Sequence, residues 1–387
     1  MKHGWNLIAV SALALTLGVG AAVAAGVDEL PPDIAKAYQG LDPAQPQGPS
    51  AYRDFKAKKG PPWTIGYASS YAGNSWRAAA MDRLLKTIVP QYQKAGLVKD
   101  VVVTQSDLKD SVQIQQMRQL VDQGVDAIVV CCSNVTALNQ TVAYANSKGV
   151  PVFSWSGYLT SPMAISAAAN YFDGAYNIAR SMFNRINGKG NVLLVSGIPG
   201  LASSDSFDGG VAKALKEFPG IKLVGTVQGK WTDQVAQVEV QKFLATHPEQ
   251  IDAIVVQSPS ETGVLKALQQ SGRPIVPITL AGEAGTLCYW KAHPEWAKEG
   301  FYMWPPGDEF ELVFNVLIRT LEGQGPKVAS VSRGALPFTL ADIGSKIPES
   351  CSTDSTDWIE PDADKWFPQE MADKFFLRPQ DPMSYKQ

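Results

Sequence analysis

The chain has 387 residues, 45% of them hydrophobic and 18% charged, which suits two or three domains at roughly 100–200 residues each. That apolar fraction is ordinary for a globular protein and too high for a disordered one. Lys and Arg total 34 against 37 Asp and Glu, a formal charge of −3 that offers no electrostatic hold on nucleic acid or anionic lipid. Three His and four Cys leave little material for metal clusters. A nucleic-acid binder, a metalloenzyme and a polytopic membrane protein are all disfavoured.

Residues 1–24 have the form of a secretory signal peptide. Lys2 precedes an apolar stretch over residues 7–19, and Ala22-Val23-Ala24 supplies the small residues that favour cleavage after Ala24. The stretch is shorter than the roughly 20 apolar residues of a membrane span. No Cys near the cleavage site offers a lipid tether, so export of a soluble chain is expected. An oxidising compartment permits disulfides. Cys131 and Cys132 end an apolar run and are expected to be buried thiols, which leaves Cys288 and Cys351 as the candidate bridge. No C-x-x-C occurs, so neither a zinc knuckle nor a thioredoxin-like motif is available.

Residues 25–62 are punctuated by prolines from Pro31 to Pro62, with a short helix expected at 33–38, and are expected to form a surface extension. From Trp63 a regular alternation begins. β-rich runs fall at 64–70, 101–105, 127–132 and 150–155. Between them lie helical stretches such as 111–123, with Ile114, Met117, Leu120 and Val121 on one face. Gly124 and Gly149 stand where helix C-terminal caps belong. A second series has strands at 191–196, 222–227, 253–257 and 276–280, with helices at 176–185, 210–217, 235–246 and 262–270. Strands separated by helices imply parallel sheets covered on both faces, and two series imply two similar α/β lobes. Ligands of such sheets sit beyond the C-terminal strand ends, which is where functional residues are expected.

Most catalytic signatures are missing. There is no G-x-x-x-x-G-K-[ST], no G-x-G-x-x-G after a strand, no H-E-x-x-H and no G-x-S-x-G. Gly197-Ile198-Pro199-Gly200 follows a strand, but without Lys it is a turn. His247 and His293 each precede Pro-Glu, an arrangement typical of helix ends. The pairs Asp205/Asp208 and Asp308/Glu309 could flank a glycosidic bond, yet at helix starts they more often stabilise the N-terminus. What recurs is an aromatic or amide residue just beyond a strand: Asn74-Ser75-Trp76-Arg77, Trp155-Ser156, Trp231, Gln257-Ser258 and Trp304. Indole faces suit the C–H side of a sugar, while Asn, Gln, Ser and Arg suit its hydroxyls. The pattern is that of a carbohydrate cleft.

Over residues 63–345 the chain resembles the periplasmic sugar-binding proteins of ABC transporters, of the ribose/galactose type. The carriers are Thr64-Ile65-Gly66-Tyr67 leading to Asn74-Ser75-Trp76, then 119–128, Gly149-Val150-Pro151-Val152, Gly197-Ile198-Pro199-Gly200, and Thr246-His247-Pro248 before Ile251-Asp252-Ala253-Ile254. The resemblance implies the type I periplasmic binding protein fold, with two Rossmann-like lobes of parallel sheet joined by a three-strand hinge and closing over one ligand. It places the crossings near residues 169, 304 and 328, giving lobes 63–169 plus 305–328 and 170–304 plus 329–345. Residues 346–387 are then an extension on the second lobe, pinned there by a Cys288–Cys351 disulfide.

Carried over position by position, Ser70, Asn74, Trp76 and Arg77 fall on the first binding loop. Trp155 and Ser156 stand where the family usually has an Asp-Arg pair. Asn170 or Tyr171 matches the first hinge crossing, and Asp205 stands where an arginine is common. Trp231 matches an aromatic wall, Gln257 or Ser258 an Asn, Glu283 a common Asp, and Trp304 a hinge Gln. Trp76 and Trp231 are expected as walls, Asn74, Arg77 and Gln257 as hydroxyl partners, and Trp155 and Trp304 at the cleft edge or hinge. These departures from the ribose pattern leave the class of ligand, a sugar or polyol, and not ribose itself. The implied protein is a monomeric periplasmic binding protein that delivers its ligand to an inner-membrane permease, without catalysis, cofactor, metal or nucleic acid. A sensory binding protein presenting ligand to a membrane receptor, and a secreted carbohydrate-active enzyme, are the alternatives.

Overall fold

Eleven strands appear in the computed structural model, which describes residues 26–131, 134–362 and 365–380. In chain order they are β1 (Trp63–Ser69), β2 (Val98–Gln105), β3 (Ala127–Val130), β4 (Val152–Ser154), β5 (Ile165–Ala169), β6 (Lys189–Ser196), β7 (Gly220–Gln228), β8 (Ala253–Val256), β9 (Gly300–Tyr302), β10 (Ser330–Arg333) and β11 (Leu336–Phe338). The signal segment, its cleavage after Ala24 and Cys132 lie outside the described residues. The first sheet is parallel throughout, in the order β10-β5-β4-β3-β1-β2. The second is β7-β6-β8, also parallel, and β9 pairs antiparallel with β11. β3, inside its sheet, and β8, whose outer side is covered by the stretch around Ile278, both read Ala-Ile-Val-Val and are wholly buried. β2 and β7 are edge strands and carry the exposed positions.

Two expected elements come out differently. Residues 276–280 form only an isolated parallel bridge, Ile254 to Ile278, because Pro274 and Pro277 cannot donate to a ladder. The Thr279 hydroxyl takes over, accepting from Val256 N at 2.7 Å and donating to Val256 O at 3.1 Å. The helix expected at 210–217 starts eight residues earlier, as Ala202–Glu217. Gly209-Gly210 weakens its helical signature, but at Gly210 a Cβ would lie 2.3 Å from the Phe172 carbonyl oxygen. The glycine is what lets this helix press against helix Tyr171–Arg185.

The stretch before β1 is not a surface extension. Leu30, Ile34, Tyr38 and Tyr52 are buried. The Tyr38 hydroxyl donates to Ser330 O at 2.5 Å, and the Tyr52 hydroxyl donates to Met163 O at 2.6 Å while accepting from Val152 N at 2.9 Å. Pro49 bridges to Val328, so this segment covers the β10 side of the first sheet.

The third crossing also moves. β10 pairs with β5 from Ser330–Ser166 to Arg333–Ala169, so the chain leaves the first lobe after Arg333 and not near residue 328. The small buried residues Ala329, Ser330, Val331 and Ser332 fit the equally small Ser166–Ala169 beside them.

Residues after 345 depart most from expectation. They begin on the second lobe, where Cys351 is disulfide-bonded to Cys288. Ala284 N donates to Asp357 O at 2.8 Å, Gly285 N to Ser355 O at 2.9 Å, and Ile359 N to Gly282 O at 2.9 Å. The chain then crosses to the first lobe. Glu360 accepts from Gly307 N and Asp308 N, and Arg319 binds Asp373 at 2.8 Å and Gln369 at 2.6 Å. Trp366, Phe375 and Phe376 are buried, and Leu377 N donates to Gly325 O at 2.8 Å. The reason is helix Pro306–Leu321, whose side chains are buried almost all round and need cover. The segment is a strap, a fourth link between the lobes.

Removing the bridge with Cys288→Ser and Cys351→Ser is expected to lower stability by about 2–4 kcal/mol. The unfolding midpoint in guanidinium should fall for the variant, and wild type should fall to meet it in reductant. Equal midpoints for all three samples would refute a structural role for this bridge.

Candidate functional site

Helix Ser75–Arg83 begins where β1 ends, and Asn74 is its N-cap. The Asn74 Oδ1 accepts from Arg77 N at 2.8 Å, while its Nδ2 donates to the Trp231 carbonyl at 3.1 Å. One side chain therefore starts a helix in the first lobe and touches the second. Trp76 is buried; its Nε1 donates to Trp304 O at 2.8 Å, and its ring stacks on Trp155 at 5.2 Å. The Arg77 guanidinium lies 4.8 Å and 4.9 Å from these two ring centroids, within cation–π range of both. Its Nη2 donates to Cys131 Sγ at 3.0 Å and to Ser156 Oγ at 3.1 Å. Ser156 in turn lies 3.3 Å from the Tyr171 hydroxyl, and the Tyr171 ring stacks on Trp304 at 4.6 Å.

The second lobe supplies the opposite wall. Lys230 and Trp231 both have positive φ, +54° and +57°, a conformation that costs each about 1–3 kcal/mol and persists only where surroundings enforce it. Room for the indole comes from Gly197, where a Cβ would lie 2.1 Å from Trp231 Nε1. Gln257 is buried and fixed at both ends, accepting from Gly197 N at 2.9 Å and donating to Ser203 O at 3.1 Å. The Ser258 hydroxyl donates to the Glu261 carboxylate.

Together these surfaces enclose a cavity of about 40 Å³. Asn74, Trp76, Arg77 and Ser156 line it from the first lobe, and Tyr171 and Trp304 from the crossings. Ser203, Trp231, Gln257, Ser258 and Pro259 line it from the second lobe. Ser203 and Pro259 were not signalled by the sequence, since neither is aromatic or amide-bearing.

Five expected site residues stand elsewhere. Trp155, expected at the cleft edge, is fully buried behind Trp76 and against Phe310. Ser70 is buried and directs its hydroxyl to Cys131 Sγ at 3.5 Å. Asn170 caps helix Tyr171–Arg185, accepting from Asp173 N, and its Nδ2 donates to the carbonyls of Ala37 and Gln39. Asp205 is exposed and accepts from Gly200 N at 3.3 Å. Glu283 lies beneath the second-lobe loops and accepts from Thr262 N at 2.9 Å. Of the histidines, His247 stacks on Phe243 at 3.9 Å, and His293 faces Tyr289 at 4.4 Å.

Buried carboxylates hold the loops from behind. At the start of helix Glu261–Gln270, Glu261 accepts from Ser260 N, Glu283 from Thr262 N and Asp233 from Gly263 N. The partial positive charge of a helix N-terminus favours anions there. Burial nonetheless pushes Glu261 up to about 7 and Glu283 well above the usual carboxylate range, with the nearby Asp233 charge adding to both. Asp233 is raised as well, chiefly by burial. In the first lobe Glu309 accepts from Ala169 N at 2.9 Å, and burial pushes it up to about 7 against the pull of Arg77. The sequence assigned Asp308 and Glu309 to helix-end electrostatics; the partner of Glu309 is the first crossing, 140 residues away.

These shifts fix the sign of a pH effect. Carboxyls that hold their protons up to about 7 when folded, against 4.5 for an ordinary glutamate, bind more protons folded than unfolded across that window. Their contribution is fully present below the lower value and is lost as pH rises through the upper one. Urea midpoints should therefore fall between pH 5 and pH 8, and Glu261→Gln should narrow the difference. A midpoint that rises over this interval would contradict the assignment.

Residues 65–325 match the family model described as a periplasmic binding protein domain. The chain is 29% identical over 189 residues to the xylitol-binding protein of Mycolicibacterium smegmatis, covering 48% of this chain and 54% of that protein. It thus spans about half the length of that relative. It is 25% identical over 229 residues to the ribose import binding protein of Bacillus subtilis, covering 58% and 72%. Among solved structures, an ABC transporter solute binding protein from Thermobispora bispora superposes with a TM-score of 0.70 at 22% identity, covering 84% of this chain and 100% of that one. A Caulobacter myo-inositol binding protein bound to myo-inositol gives 0.62 at 18%, covering 74% and 96%.

Proposed function

Because the chain belongs to the periplasmic binding protein domain family, we propose that it is the substrate-binding protein of an ABC importer, holding a sugar or polyol between its lobes for an inner-membrane permease. The observation that carries this reading is the meeting of three indoles, Trp76, Trp231 and Trp304, around the polar groups of Asn74, Arg77, Ser156, Tyr171 and Gln257. Flat apolar faces take the C–H side of a polyhydroxylated ligand, and the polar groups take its oxygens. Similarity to a xylitol-binding and a ribose import binding protein supports the same ligand class. The expected signal peptide and the family together support a periplasmic location. The reading is one of capture and release, since the walls come from both lobes and a ligand touching both favours the closed arrangement.

A panel of pentitols, hexitols, inositols and aldoses, screened by thermal shift and followed by calorimetry, tests it. A true ligand at 100 times its Kd should add about 2.7 kcal/mol to stability. Trp231→Ala should then weaken binding by about 2 kcal/mol or more, roughly thirtyfold. Gly197→Ala should do the same indirectly, because its methyl group would occupy the space of the Trp231 indole. His247→Ala and His293→Ala should bind like wild type. If folded Trp231→Ala also binds like wild type, the cavity is not the ligand site.

A further inference from the structure

Arg77 is the charged residue of the cavity wall; every other wall residue among those described is neutral. Its side chain is about nine-tenths buried, with 9% exposure. Yet its hydrogen bonds go to a thiol and a hydroxyl, Cys131 and Ser156, and its Nη1 has no partner among the described residues. The titratable groups that act on it most strongly are Cys131, Tyr67 and Tyr171, none of them a carboxylate. Glu309 feels the guanidinium, but its bonded oxygen is committed to Ala169 N at the hinge. The indoles of Trp76 and Trp155 share the charge without neutralising it.

Apart from the hydroxyls of Ser156, Tyr171 and Ser203, the polar side chains of the rest of the wall are already engaged. Both ends of Asn74 and both ends of Gln257 are bonded to backbone groups or to the neighbouring lobe, and the Ser258 proton goes to Glu261. A neutral polyol has hydroxyl protons to place as well as oxygens, and so asks its site for acceptors. A carboxylate asks only for donors, and a charged pair in a low-dielectric cleft is the strongest form of that bond. A buried guanidinium hydrogen-bonded to no carboxylate is costly, and a ligand that supplies one relieves the cost on binding.

We propose that the ligand is an acidic polyol, a short polyhydroxylated chain or ring bearing a carboxylate that pairs with Arg77 while its C–H face lies against the indoles. This rests on the reading of the cavity as the sugar or polyol site. It narrows that reading to sugar acids.

Matched pairs test it: xylitol with xylonate, ribitol with ribonate, galactose with galacturonate, titrated calorimetrically into wild type, Arg77→Gln and Arg77→Lys. The acid of at least one pair should bind roughly 10- to 100-fold tighter than its neutral partner. Arg77→Gln should abolish that preference, and Arg77→Lys should keep part of it, since it retains the charge without the planar fork. Tryptophan fluorescence of each variant establishes that it is folded, and Arg77→Lys serves if Arg77→Gln is not. A neutral member that binds as tightly as its acid overturns the proposal and leaves the sugar-binding reading intact. Binding of lactate as tight as that of the sugar acids overturns the polyol reading and leaves the anion at Arg77. If no member of any pair binds, the reading and the proposal fall together. An acid preference that survives in folded Arg77→Gln overturns the role of Arg77, and a sugar phosphate bound tighter than every acid overturns the choice of carboxylate.

Discussion

Helix Pro306–Leu321 has almost no solvent face, and the parts of the molecule that must meet do so around it. A helix buried on nearly every side, with charged groups among its buried residues, has to be enclosed by both packing and polar partners, and here the enclosure is made by four separate chain segments. Phe310 sits 5.1 Å from Tyr67 and 4.2 Å from Trp155, which ties it to the first sheet and to the back of the binding loop. Glu309 takes the Ala169 N–H of the first crossing. Trp304, two residues ahead of the helix, accepts from the Trp76 indole. Glu360 of the strap takes the N–H groups of Gly307 and Asp308, and Arg319 near the other end is held by Gln369 and Asp373. First lobe, both early crossings and strap therefore share one rigid reference.

Against that frame, what joins the lobes across the cleft is slight. Asn74 Nδ2 to the Trp231 carbonyl is one hydrogen bond, worth about 0.5–1.5 kcal/mol net. Trp358 of the strap reaches Ser75 at 3.4 Å, at the limit of such a bond. Contacts of this size hold an arrangement without locking it, so a ligand that engages both walls can decide the balance. The strap makes this chain unlike a two-lobe protein with three crossings alone. It is covalently fixed to one lobe at Cys351 and packed into the other through Trp366, Phe375 and Phe376. Any change in lobe angle has to be taken up between those anchors.

Much of the sheet framework was legible because its signals are local. Ala-Ile-Val-Val at β3 and β8 announces a buried parallel strand, and ligands of such sheets lie beyond the C-terminal strand ends. Trp76, Arg77, Trp231 and Gln257 are expected on that ground, and all four line the cavity. The segments around the framework were not legible. Tyr38, Tyr52, Trp366 and Phe376 are buried one at a time in grooves made by distant residues, so they carry no period that a window could detect. The Thr279 hydroxyl extends a one-bridge ladder to Val256, and Gly210 turns an apparent helix breaker into a packing surface.

Two of the misplaced site residues share one physical cause. Asn170 and Glu283 were expected at the ligand, yet each satisfies backbone N–H groups of a nearby helix start. An N-terminal turn leaves donors unpaired, and the nearest Asn or carboxylate is drawn to them first. The consequence is that the groups facing the cavity are supported before any ligand arrives. Gln257 is fixed at both amide ends, Ser258 is held by Glu261, and Trp231 is fitted into the space left by Gly197. Side chains already immobilised lose little entropy on binding, so more of each contact appears as affinity. The positive φ of Trp231 and Ser156 fits the same account, because such backbone persists only where packing enforces it. Of the buried carboxylates behind the loops, Glu261 acts on the cavity wall directly through Ser258, and the others fix the backbone that carries it.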